Sequence, residues 1–294
     1  MRYAAIDIGS NAVRLLIADI IKDAKSGEYT FKKNTLLRVP LRLGDDSFIQ
    51  QHISTKKADF LVKTMRAFRD LMDVYQVSEY MACATSAMRD ADNGDAIVKR
   101  VKEVGVDLQI IEGSVEAEII FNSHVGEKLD INKVYLYIDV GGGSTELSLF
   151  ARSRLIASKS FNLGTIRILD NRDRTEVWDD MKSWVVDHTK MFNHVIGIGT
   201  GGNINKLSKL ANDKVDKPIT FLKMKSLYSY LNSYSLKERI TVLGLNDDRA
   251  DVIIPATEIF LTVMKAGHLK QIIVPRVGLV DGVIQTLIQR NLKD

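Results

Sequence analysis

Apolar and polar residues alternate along this chain in two rhythms. Mostly apolar runs at 3–8, 14–21 and 30–42 read as strands. From about Thr55 the period lengthens, and Leu61, Met65, Phe68, Met72 and Tyr75 recur at three- and four-residue steps, the stripe of a helix packed on a sheet. A strand at 79–84, a turn around Thr85, Ser86 and Arg89, a helix over 92–104 and a strand at 108–111 complete a β-β-β-α-β-α-β order. The order then starts again, with strands at 134–140, 146–151 and 154–161, a helix through Trp178 and Trp184, a strand at 194–199, further helices and a strand at 271–274. One mixed α/β order used twice predicts two similar lobes facing a central cleft. The expected lobes span 1–117 and 118–278, joined on the helix after Gly113, where Ser114 is placed to cap the first turn. A last helix at 279–292, within a tail reaching 294, is expected to pack back on the first lobe.

The two halves open on nearly the same segment, YAAIDIGSNAVRLL from Tyr3 and YLYIDVGGGSTELSL from Tyr135. A strand that ends in Asp-x-Gly and turns tightly into a second strand leaves N–H groups at the bend without ladder partners, and such groups bind phosphate. The aspartate beside the bend can hold a divalent cation against the same phosphate. In the first loop Asp7, Gly9, Ser10 and Asn11 fit this role, but equally a plain β-turn with Asn and Gly chosen for backbone shape. The second loop is more demanding: Asp139, Gly141, Gly142, Gly143, Ser144 and Thr145 place three residues without a β-carbon in succession, and Glu146 follows at once. A bare hairpin needs only a two-residue turn. A third cluster, GIGTGGNIN with Gly201 and Gly202, lies between a strand and a helix opening near Asn203, where amides and helix dipole both favour an anion. It is neither a P-loop nor a dinucleotide fingerprint. Three such loops point to a polyphosphorylated ligand.

Glu116 and Glu118 fall near the start of the joining helix. Glu118 reads as favourable first-turn charge, whereas Glu116 is placed to orient or deprotonate a water attacking phosphorus. Arg89 is either a surface charge or a phosphate clamp. The histidines show no paired metal-ligand spacing, and Cys83, the one cysteine, lies in an apolar strand as a small buried hydrophobe. Composition adds a boundary condition: 294 residues suit two domains, and a net charge of +4 mildly favours an anionic ligand. Lysines group only locally, as at Lys22, Lys25, Lys32 and Lys33 or Lys206, Lys209, Lys214 and Lys217, without any nucleic-acid-binding signature. With no apolar run of membrane-spanning length, no signal peptide and no disulfide, the expected setting is cytoplasmic, with neither nucleic acid nor membrane as partner.

At these residues the sequence resembles the exopolyphosphatase and guanosine pentaphosphate phosphatase (Ppx/GppA) family, in its short two-domain form. The matching stretches run in order: DIGSNAVRLL at Asp7, ATSAMRDA holding Arg89, IEGSVEAEIIF holding Glu116, DVGGGSTEL at Asp139, NLGTIRI at Asn162, GTGGNINKL at Gly199 and RVGLVDG at Arg276. The resemblance implies an α/β fold of two ribonuclease-H-like lobes, in the actin, Hsp70 and sugar kinase superfamily, and Mg²⁺-assisted hydrolysis of terminal phosphoanhydrides. It implies Glu116 as general base and Asp139 and Glu146 as metal- and water-positioning acids; the strand-end pattern described above adds Asp7 to the expected metal set. Ser10, Asn11, Arg89 and the glycine loops match the phosphate-binding elements. Two departures stand out. Ser114-Val115 replaces an acidic residue usual beside the catalytic glutamate, and Gly278-Leu279-Val280-Asp281-Gly282 replaces the usual Gly-Leu-Arg-Glu-Gly. Longer members continue into an all-helical domain, so a chain of this length is expected to favour short polyphosphates or a nucleotide.

The leading expectation is a hydrolase acting on inorganic polyphosphate or guanosine pentaphosphate. The alternatives are a non-catalytic sensor of guanosine tetra- or pentaphosphate and a small-molecule kinase of the same superfamily. A homodimer is left open.

Overall fold

A computed structural model describes residues 1–122, 130, 132–152, 154–211, 217–275 and 277–292; Lys214 and Arg276 lie outside the described residues. The chain divides into two compact units, Met1–Glu127 with Val277–Asp294, and Lys128–Arg276. Each is a mixed sheet with helices packed on it.

In the first unit, β1 (Arg2–Ile8), β2 (Val13–Lys22) and β3 (Tyr29–Val39) form an antiparallel meander. Helices α1 (Leu43–Gln50) and α2 (Thr55–Val74) follow, then β4 (Glu79–Ala84), α3 (Ser86–Asp90), α4 (Gly94–Glu103), β5 (Leu108–Ile110) and α5 (Gly113–Asn122). The sheet order is β3-β2-β1-β4-β5, with β1, β4 and β5 parallel. The predicted stripe of α2 is buried at Leu61, Met65, Phe68 and Met72, and the Ser54 hydroxyl caps its first turn by accepting from Lys57 N–H.

The second unit repeats the order. Strands β6 (Val134–Val140), β7 (Thr145–Ala151) and β8 (Arg154–Phe161) form the meander. Next come α6 (Thr165–Leu169), α7 (Thr175–Thr189), β9 (Val195–Thr200), α8 (Gly202–Ala211), β10 (Ile219–Thr220), α9 (Phe221–Asn232), α10 (Leu236–Thr241), α11 (Asp247–Ala250), α12 (Ile253–Ala266) and β11 (Gln271–Ile273). Sheet order is β10-β11-β9-β6-β7-β8, with β6, β9 and β11 parallel. Leu136, Ile138, Leu147 and Leu149 of the sheet pack in one cluster with Ile204 and Leu207 of α8 and Ile259, Phe260 and Val263 of α12. The chain closes with α13 (Leu279–Leu292), which belongs to the first unit and packs with α5 on β1 and β2 around Val283, Ile284, Leu287 and Ile288.

Four local expectations change. The third strand stops at Val39 rather than running to Arg42: Pro40 has no N–H for a ladder, Arg42 takes φ 49° and α1 opens at Leu43. The expected turn at Thr85, Ser86 and Arg89 is the short helix α3. Ser114 does not cap α5; the first turn already closes from Glu116 N–H to the Glu112 carbonyl, leaving Ser114 exposed inside the helix. Helix α5 lies wholly in the first unit, so the division expected between 117 and 118 falls later in the chain.

Candidate functional site

Both Asp-x-Gly segments fold as hairpins of one design. In unit 1, Ile8 pairs with Val13 around a four-residue bend, and Gly9 N–H donates to the Ala12 carbonyl at 3.2 Å. In unit 2, Val140 pairs with Thr145 around an equal bend, and Gly141 N–H donates to the Ser144 carbonyl at 2.9 Å. In each unit the bend carbonyls are captured by the residues after the third strand. Ser10 and Asn11 accept from the N–H groups of Gly44 (2.9 Å) and Arg42 (3.0 Å), while Gly141 and Gly142 accept from Thr165 (3.1 Å) and Ile166 (2.8 Å). The Gly143 carbonyl accepts from Arg167 Nε at 2.7 Å.

A peptide carbonyl and the next residue's N–H point in opposite directions across the trans plane. Anchoring the carbonyls of residues 141, 142 and 143 therefore turns the N–H groups of Gly142, Gly143 and Ser144 to the other side. Among the described residues, these three N–H groups have no acceptor, although Gly143 and Ser144 are buried. An unmatched buried donor costs about 1–3 kcal/mol, so two of them in succession beside a third unmatched N–H mark a concavity shaped for an anion. Gly164 makes the arrangement sterically accessible: a Cβ there would lie 2.3 Å from the Gly142 carbonyl oxygen. Thr145 is a strut rather than a ligand, since its buried hydroxyl donates to the Leu163 carbonyl at 2.6 Å.

The aspartates are set by sheet register. Asp139 lies opposite Glu146 on β7 and beside Thr200 on β9, and Glu146 lies opposite Ser160, so all four share one face. Ser160 Oγ donates to Glu146 at 2.8 Å. The third loop comes to the same row: Gly201, at φ 97°, lies so close to Asp139 that a Cβ would sit 2.8 Å from its Oδ1. Asp7 has a different neighbour, because the residue opposite it is Arg14, whose guanidinium forms an ion pair with its carboxylate. A carboxylate already matched by a cation is a poor divalent-metal ligand, which moves Asp7 out of the expected metal set. Among the described residues there is no group of three or more His, Cys, Asp or Glu placed to hold a metal.

Ser10 Oγ and Ser86 Oγ meet at 2.8 Å, tying the first loop to α3. One turn further on, Arg89 donates from Nη1 to the Ile111 carbonyl at 2.8 Å, just before the helix that carries Glu116. Glu116 and Asp7 act together on Cys83: burial foremost, then Asp7 and Glu116, push its thiol up to about 12. Two arginines escaped the sequence reading. Arg167 appears only as the fifth residue after Asn162 in NLGTIRI, and Arg249 lies far along the chain from the loop it reaches. Its guanidinium nitrogens lie 2.6 and 2.8 Å from where a Cβ of Gly202 would be.

The profile of the Ppx/GppA phosphatase family matches residues 22–291. The chain belongs to that family. Among its curated relatives are exopolyphosphatase 1 of Mycobacterium tuberculosis, 26% identical over 97% of this chain and 87% of that one, and the bifunctional 3-dehydroquinate synthase/phosphatase of Fusobacterium nucleatum, 28% identical over 89% of this chain. The chain spans 43% of the length of the Fusobacterium protein. Its fold is that of solved Ppx/GppA structures. An exopolyphosphatase from Cytophaga hutchinsonii superposes with a TM-score of 0.84 at 24% identity, covering 99% of this chain and 98% of that one. The Aquifex aeolicus family member gives 0.78 at 23%, covering 100% and 99%. The two units of this Ppx/GppA chain, each one mixed sheet with its helices, thus follow the fold of those structures.

Proposed function

We propose that this protein is a phosphohydrolase that removes the terminal phosphate of inorganic polyphosphate. The observation that carries the reading is the row of three unmatched N–H groups at Gly142, Gly143 and Ser144, which suits an oxyanion-rich chain end. Family membership and the exopolyphosphatases among its relatives support polyphosphate ahead of guanosine pentaphosphate, which is the alternative substrate.

In this reading Glu116 takes a proton from the attacking water as the P–O bond to the leaving chain breaks. Arg89 and Arg249 hold phosphoryl oxygens, and the loop amides of Gly142, Gly143 and Ser144 bind the terminal phosphate in substrate and transition state alike. Asp139 and Glu146 would hold a Mg²⁺ ion. Two facing carboxylates suffice for this metal, because substrate phosphates and water commonly complete its shell. When bound, the ion supplies charge neutralisation at the phosphoryl group.

Phosphate release from defined polyphosphates and from guanosine pentaphosphate, with and without Mg²⁺, tests the reading. Wild type should release phosphate, and Glu116→Gln should lose about 10²–10⁴-fold in turnover while still binding. Loss of binding and turnover together in Glu116→Gln would remove the general-base role. Tight binding of guanosine tetraphosphate with no release from any substrate would make the protein a sensor.

A further inference from the structure

We infer that Arg167 is the positioning residue that keeps the second glycine loop in its anion-binding form; the inference rests on the phosphohydrolase reading above. Of the three captured carbonyls, Gly141 and Gly142 are held by main-chain donors, Thr165 at 3.1 Å and Ile166 at 2.8 Å, with Arg167 N–H adding a longer bond to Gly142 at 3.4 Å. Any residue except proline provides those donors. Gly143 is held by the Arg167 side chain, Nε to carbonyl at 2.7 Å. Only this third anchor depends on which amino acid stands at 167.

The first unit supplies the contrast. There the bend residue equivalent to Gly143 is Asn11, and its carbonyl is taken by the main-chain N–H of Arg42 at 3.0 Å. Both four-residue bends have the carbonyls of their second and third residues captured, but in the second bend the third carbonyl goes to a side chain rather than a backbone donor. Gly143 has no Cβ to resist rotation, so without the guanidinium the Gly143–Ser144 peptide can turn over. A turned peptide presents its carbonyl to the anion and withdraws the Ser144 N–H. Arg167 thus contributes through the loop, not by touching substrate, and its loss should read as weakened phosphate binding more than as slowed chemistry.

The test uses the full chain, with tripolyphosphate as probe. Calorimetry on Arg167→Met should show affinity reduced tenfold or more, and steady-state assays should show KM raised by a similar factor with kcat changed less than threefold. Added guanidinium ion should restore binding to Arg167→Ala. Gly164→Ala, which keeps Arg167 but presses a methyl group on the Gly142 carbonyl, should show the same rise in KM. Tripolyphosphate binding by Arg167→Met at the wild-type level would overturn the inference. So would full recovery in Arg167→Lys with no guanidinium effect, because charge alone would then suffice. If wild type binds tripolyphosphate yet releases no phosphate from any polyphosphate, the hydrolase reading falls while the binding comparison still decides the role of Arg167.

Discussion

Asp7 and Asp139 occupy the same place in the two units, yet the residue across the ladder gives them opposite chemistry. Arg14 neutralises Asp7, while Glu146 doubles the negative charge beside Asp139. Glu146→Gln should therefore raise the Mg²⁺ concentration for half-maximal activity at least tenfold, whereas Asp7→Asn should leave it unchanged. A metal titration of both variants checks this. Cys83 provides a second residue-scale expectation. Its thiol is raised from 9.0 to about 12, so it stays protonated in the folded chain while the unfolded chain ionises from near pH 9. Its contribution to stability is thus complete below pH 9 and lost as pH rises towards 12, and iodoacetamide at pH 8 should label it only after denaturation. Labelling of the folded protein at the unfolded rate would contradict the burial.

At the scale of elements, α13 shows what the departure at residues 278–282 does. Asp281 is buried, receives the Gly278 N–H at 3.0 Å and forms an ion pair with Lys33 Nζ at 2.6 Å, so the shorter acid fastens the first turn of α13 to β3. Gly282 lets α13 cross α5 backbone to backbone: a Cβ would lie 2.1 Å from the Ile119 carbonyl oxygen, three residues beyond Glu116. Gly282→Ala should destabilise the fold by about 1–3 kcal/mol, read by denaturant unfolding, and lower turnover as well. Elements with full periodicity were legible in advance. The stripe of α2 and the span Leu279–Leu292 stand where the sequence pattern puts them. Helices α3 and α6 were not, because five residues hold too little of a helical period to register. The capture of the second bend's carbonyls by the first residues of α6 was hidden with them. The Asp7–Arg14 pair did leave a signal: the two residues are symmetric about the Gly9–Ala12 bend, and hairpin register makes them neighbours.

For the whole molecule, the repeated Asp-x-Gly segment was enough to foresee two units of one design, since a hairpin, its loop and the returning parallel strand recur in both. What separates the units chemically was less visible. Arg167 and Arg249 act on loops distant in sequence, and only the fold brings them there. The first unit offers Glu116 and a neutralised aspartate, the second an acidic row and a cradle of amides. The most direct test follows polyphosphate of defined length by ³¹P NMR with the wild-type protein and Mg²⁺. Orthophosphate should appear as the terminal resonances persist and the internal ones decline, with Glu116→Gln near background. Absence of orthophosphate from the wild type, or equal release by Glu116→Gln, would contradict it.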